Sequence, residues 1–172
     1  MSAPSVPHPG VLRGPPLEPP RASTLVEMLE SAAHAATGLT FVDAGERDTH
    51  LPWSEVFLRA RKAAAALRAL GVREGDRVAI VLSTGPDFCD AFFGAVLAGA
   101  VPVPLYPPVR MGRIEEYHRQ TTSHLKACGA RLIVSDARIR MFLGRSVQQA
   151  RPALGVMTAA SLLDAAPTGS LA

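Results

Sequence analysis

From residue 24 onward, apolar positions recur in two ways. One spacing repeats every three or four residues and predicts helices; the other is continuous or alternating and predicts strands. Leu25, Met28, Leu29, Ala32, Ala33 and Ala36 share one helical face. Thr24 and Glu27 stand at capping-box spacing at its start, and Gly38 is placed to end it. Leu39–Asp43 and Thr49–Pro52 flank a turn-rich stretch and read as a hairpin. Ser54 is expected to cap a longer helix, with Trp53 and Leu58 as a hydrophobic staple. Val56, Ala60, Ala63, Leu67 and Leu70 form its apolar stripe, and Gly71 closes it.

The next run, Arg77–Leu82, is almost wholly apolar, as in a parallel strand covered on both faces. Pro86 and Asp87 open a helix whose core side is Phe88, Ala91, Phe92, Ala95 and Val96, stopped by Gly99. Val101–Tyr106 alternates valine and proline, which suits an edge strand. Arg113–Ala127 reads as a polar helix with a thin stripe of Ile114, Tyr117, Thr121 and Cys128, ended by Gly129. Arg131–Val134 is a strand, and a short helix is expected over about 136–142. Gly155–Thr158 and Ala159–Ala165 predict a last strand and helix. Strands alternating with helices specify an α/β fold with a mainly parallel sheet flanked by helices. Residues 1–22 are proline-rich and aperiodic and are expected to form a flexible leader; 23–165 form the folded body and 166–172 a tail.

Composition narrows the class. The 172 residues are 48% hydrophobic and 19% charged, a globular balance. The longest apolar stretch, Ala91–Tyr106, is broken by Gly94, Gly99, Pro102 and Pro104, so no membrane span is expected. The first 20 residues hold seven prolines and no apolar h-region, which argues against a secretory signal. Cys89 and Cys128 suit reduced thiols, and the cytoplasm is the expected compartment.

Charge is unevenly spread. Residues 1–109 carry 9 basic and 11 acidic side chains, whereas 110–151 carry 9 basic and 3 acidic. A solvated arginine-rich surface is one reading of the second segment, and a docking surface for a partner is the other. The arginines are not interleaved with aromatics, so no nucleic-acid partner is expected.

Candidate chemistry is sparse. Tyr106-Pro107-Pro108, followed by Arg110 and Arg113, leaves a strand end, where α/β folds place ligand sites. The prolines stiffen this loop and the arginines suit a phosphate or carboxylate. Ser83–Asp87 joins a buried strand to a helix start, but Asp87 would repel an anion there, and it reads as a connector. Gly71–Asp76 reads as a structural turn, and Ser135-Asp136 as a helix cap. His118 and His124 lie six residues apart, on different helical faces, so no shared metal site is expected from them. No phosphate-binding loop fingerprint and no G-x-S-x-G elbow is present.

Several blocks together carry a family resemblance. They are Ala66–Ile80 (ALRALGVREGDRVAI) and Pro86–Pro104 (PDFCDAFFGAVLAGAVPVP), extended by Leu105–Pro108, Gly112–Tyr117 and Ala130–Asp136. This set resembles the N-terminal part of the adenylate-forming, or AMP-binding, superfamily. It looks most like the fatty acyl-AMP ligases and long-chain acyl-CoA synthetases. The resemblance implies an incomplete N-terminal subdomain of such an enzyme. For the full-length family it implies ATP and Mg²⁺, a fatty acid activated to an acyl-adenylate, and transfer of the acyl group to a thiol. The family's Ser/Thr/Gly-rich phosphate loop, its Tyr-Gly-x-Thr-Glu motif and its catalytic lysine have no counterpart in the 172 residues. No catalytic, cofactor-binding or metal-binding residue of the family therefore maps here.

The expectation is a truncated or split N-terminal piece of a fatty acyl-AMP ligase, inactive alone and needing no cofactor by itself. Its expected partners are a completing C-terminal ligase chain or an acyl carrier protein. The rival expectation is a standalone module that docks a partner enzyme or carrier through residues 110–151. A partial fold also predicts exposed apolar surface at Phe92, Phe93 or Val101, and with it self-association.

Overall fold

In this computed structural model the structure describes residues 14–16, 19, 22–108 and 113–164. Most of the expected leader, Arg110, and the tail lie outside the described residues. The described chain runs α1 (Leu25–Ala32), β1 (Gly38–Val42), β2 (Asp48–Pro52), α2 (Trp53–Ala69), β3 (Arg77–Val81), α3 (Pro86–Leu97), β4 (Val101–Leu105), α4 (Ile114–Cys128), β5 (Leu132–Ser135), α5 (Ala137–Ala150), β6 (Val156–Thr158) and α6 (Ala159–Asp164). The α/β class and the parallel sheet read from the sequence are both present.

Strands β4-β3-β5-β6 form one parallel sheet, in that order. β3 lies inside it, which explains its unbroken apolar run: both faces are covered. Val78, Ile80 and Leu82 meet α2, α3 and α6 on one side. Ala79 and Val81 meet α4 and α5 on the other. The period of two along β3 thus divides the molecule into three layers. The hairpin β1–β2 packs separately, with Leu39 and Leu51 against Leu29, Val56 and Ala60.

β4 is an edge strand, and its prolines say which way it faces. The Val101 amide donates to the Asp76 carbonyl at 2.8 Å. Alternate residues of a strand point their amides to opposite sides, so Pro102 and Pro104 turn theirs to the open edge, where no donor is needed. Three helices stop as their glycines predict. Gly71, Gly99 and Gly129 have positive φ, and each is followed by the paired backbone bonds that satisfy the last carbonyls.

Four local expectations are corrected. The first helix ends at Ala32 rather than running to Gly38, which lies in β1. A Cβ at Gly38 would sit 2.2 Å from the Leu51 carbonyl oxygen, so glycine serves close strand approach there, not helix termination. Helix α2 starts at Trp53 with Pro52 as its N-cap, and Ser54 makes no cap. The Trp53 amide already donates to Thr37 O, and its ring packs edge-on against Phe93, so Leu58 is left exposed rather than stapled. Helix α5 runs to Ala150, well past residue 142, on a stripe of Ile139, Leu143 and Ser146. Last, Leu70 is exposed at the end of the α2 stripe, while Val56, Ala60, Ala63 and Leu67 are buried as expected.

Helix α2 and helix α3 hold a buried ion pair that periodicity did not single out. Asp90 is 3% exposed and takes a two-pronged grip from Arg59, with Nε–Oδ1 at 2.9 Å and Nη2–Oδ2 at 2.6 Å. The hydrogen bond to Asp90 holds the Arg59 guanidinium still more firmly protonated. The same helices cross closely at Gly94, where a Cβ would come within 2.6 Å of the Ala63 methyl.

Candidate functional site

In a parallel sheet the loops leaving the C-terminal strand ends gather on one edge. Here those loops are Ser83–Gly85 after β3, Tyr106–Pro108 after β4, and Asp136 after β5. The loop after β3 leads into α3 on one face, and the loop after β5 leads into α5 on the other. β3 and β5 are neighbours. Their chains therefore part to opposite sides, which opens a crevice between them, the place where such sheets bind ligands.

Two clefts occupy this edge. One, of about 500 Å³, is lined by Leu82, Ser83, Thr84, Phe88, Pro104, Leu105, Tyr106 and Pro107. The other, of about 580 Å³, is lined by Ser83, Pro107, Pro108, Asp136, Arg138, Ile139 and Phe142. Ser83 and Pro107 border both, so the Tyr-Pro-Pro loop is the wall between them. Two prolines fix its backbone, which makes that wall stiff. Tyr106 is 88% exposed, an unusual state for an aromatic ring, and it lines the same cleft as the apolar Leu82 and Phe88.

The sequence-predicted loop lies at the C-terminal strand ends, but its arginines divide. Arg113 is exposed, lies at the start of α4 and pairs with Glu116 at 3.8 Å. Arg110 lies outside the described residues. Among the described residues, the cation that lines the crevice is Arg138, from the first turn of α5. Ser83 and Thr84, read as a connector, also line it. Their neighbours come from strands far apart in sequence, so only the strand order could have revealed them. The expected cap is present: Asp136 Oδ1 accepts from the Ile139 amide at 2.6 Å.

Among the described residues the carboxylate lining the crevice is Asp136, which caps α5, and there is no group of three or more His, Cys, Asp or Glu positioned for a metal. What the described residues can offer is a stiff apolar wall with the Ser83 and Thr84 hydroxyls and the Arg138 guanidinium. Elsewhere, burial pushes the Cys89 thiol up from its ordinary range, with the Asp90 charge adding to the effect. Cys89 and Cys128 are free thiols. His118 faces α5, with Nδ1 3.3 Å from Ser146 Oγ, while His124 is exposed. The basic segment is partly neutralised: Arg145 pairs with Glu115 at 2.5 Å and Arg131 with Asp76 at 3.4 Å. No helix of the described residues is long and apolar enough to cross a membrane.

Residues 29–169 match the AMP-binding enzyme family. The chain belongs to that family. Among curated relatives, the salicyl-AMP ligase / salicyl-S-ArCP synthetase of Mycobacterium tuberculosis is 39% identical over 97 residues, covering 55% of this chain and 17% of its own. The long-chain-fatty-acid–AMP ligase FadD32 of Mycolicibacterium smegmatis is 40% identical over 68 residues, covering 40% of this chain and 11% of its own. A chain solved in work on fatty acyl-adenylate ligases from E. coli and L. pneumophila superposes with a TM-score of 0.79 at 28% identity. That match covers 88% of this chain and 27% of the solved one. The chain thus spans about a fifth or less of the curated relatives it matches. The AMP-binding family and its fold stand as the sequence blocks implied.

Proposed function

We propose that this chain forms the N-terminal α/β layer of a fatty acyl-AMP ligase. The observation that carries the reading is the superposition on a fatty acyl-adenylate ligase chain across 88% of the residues. The Leu105–Pro108 extension supports the same branch of the family.

In the whole enzyme, a fatty-acid carboxylate attacks the α-phosphorus of ATP. The bond to the bridging oxygen breaks, pyrophosphate leaves, and a mixed acyl-adenylate forms. A thiol, such as that of an acyl carrier protein, then displaces AMP from the acyl carbon. These 172 residues supply no catalytic group to those steps. Their part is positional. The sheet holds the Tyr106-Pro107-Pro108 wall and the Ser83-Thr84 turn at one edge, where the remaining ligase polypeptide or a carrier protein would meet them.

The chain alone should show no fatty-acid-dependent exchange of pyrophosphate into ATP. Robust exchange by the purified chain would overturn the reading, because it would require a nucleotide site built from residues other than those the family uses.

A further inference from the structure

On the face of the sheet opposite α3, helices α4 and α5 enclose a third cleft, of about 450 Å³. Its walls follow from helical spacing. Glu115, Arg119, Thr122, Ser123 and Lys126 fall at steps of three and four along α4, and Arg145 and Gln149 are four apart on α5. Three cations therefore look into one groove against one carboxylate. Glu115 is already engaged, pairing with Arg145 at the rim, where both side chains are more than half exposed. Neither Arg119 nor Lys126 has a carboxylate partner among the described residues.

An oxyanion seated between Arg119, Lys126 and Arg145 would also meet Ser123, an exposed serine that lines the same groove. His118 also lines the groove and is held by Ser146 on α5, so the two walls are tied together.

We propose that the α4–α5 groove binds a small phosphate-bearing anion. The site lies away from the crevice at the strand ends and shares no lining residue with it. Excess positive charge, planar guanidinium forks and hydroxyl donors suit phosphate oxygens. The small volume suits a single phosphate ester or a diphosphate better than an extended polymer.

Calorimetric titration of the full chain with sodium pyrophosphate and with glycerol 3-phosphate, at low ionic strength, tests this. Saturable one-to-one binding is expected. Arg119→Gln and Lys126→Gln should each weaken it about tenfold, the scale of one charge-assisted hydrogen bond. Arg140→Gln removes the same charge from an exposed α5 position outside the groove and should change affinity by less than roughly twofold, since screened distant charges contribute little. Tighter binding of pyrophosphate assigns inorganic polyphosphates; tighter binding of glycerol 3-phosphate assigns phosphate esters. Equal weakening by Arg140→Gln, or titrations that never saturate, overturns the proposal, with circular dichroism confirming that each variant is folded.

Discussion

Asp90 shows what one residue can decide. It sits in an apolar helix, 3% exposed, and is tolerable there only because Arg59 reaches it from α2. Asp90→Ala leaves the guanidinium half-buried without its partner. Breaking one side of a buried pair costs about 3–5 kcal/mol, so the urea midpoint should fall steeply, whereas replacing both partners by apolar residues should cost much less. Two helical glycines make an opposite-sign pair. In an open helix, Gly→Ala stabilises by about 0.5–1 kcal/mol. That gain is expected at Gly144, where a Cβ meets nothing within 4 Å. At Gly94 the same methyl would strike Ala63, and the overpacking cost of about 1–3 kcal/mol wins, so the thermal midpoint should drop. None of these roles was legible in the sequence. A glycine or an aspartate in an apolar run looks alike whether its neighbour is solvent or a second helix.

At the scale of elements, the sequence was legible where one periodic stripe faces one neighbour. β3, β4, α3 and the hairpin appear close to where the pattern put them. It was less legible where contacts substitute for capping chemistry. Trp53 starts α2 because its amide is taken by Thr37 O and its ring by Phe93, and no local rule contains either partner. The second half of α5 was missed because its stripe is thin and interrupted by Gly144, although Leu143 and Ser146 are wholly buried. Exposed apolar surface was expected at Phe92, Phe93 or Val101. Val101 is exposed at 47%, but the two phenylalanines are half-buried in an aromatic group with Phe88 and Trp53. The open edge of β4 carries its own test. Pro102 and Pro104 withhold two donors from that edge, a common guard against strand addition. Replacing both with valine should raise concentration-dependent association in gel filtration and light scattering; an unchanged association state would show that the edge is guarded by something else.

For the whole molecule, the alternation of elements was enough to read the α/β layers, and five sequence blocks were enough to read the family. The crevice was only half legible. Tyr106–Pro108 could be read as a strand exit, but Ser83, Thr84 and Arg138 join it only through the order β4-β3-β5-β6, which no local pattern carries. The strand order also explains why the crevice opens at this edge: the chains leaving β3 and β5 part to opposite faces of the sheet there. The most direct test is pyrophosphate exchange in two parallel samples. One is the chain alone; the other is the chain joined to the remaining polypeptide of the fatty acyl-adenylate ligase on which it superposes. The account predicts no exchange from the first and fatty-acid-dependent exchange from the second. Exchange by the chain alone, or a folded fusion that activates no fatty acid, would contradict it.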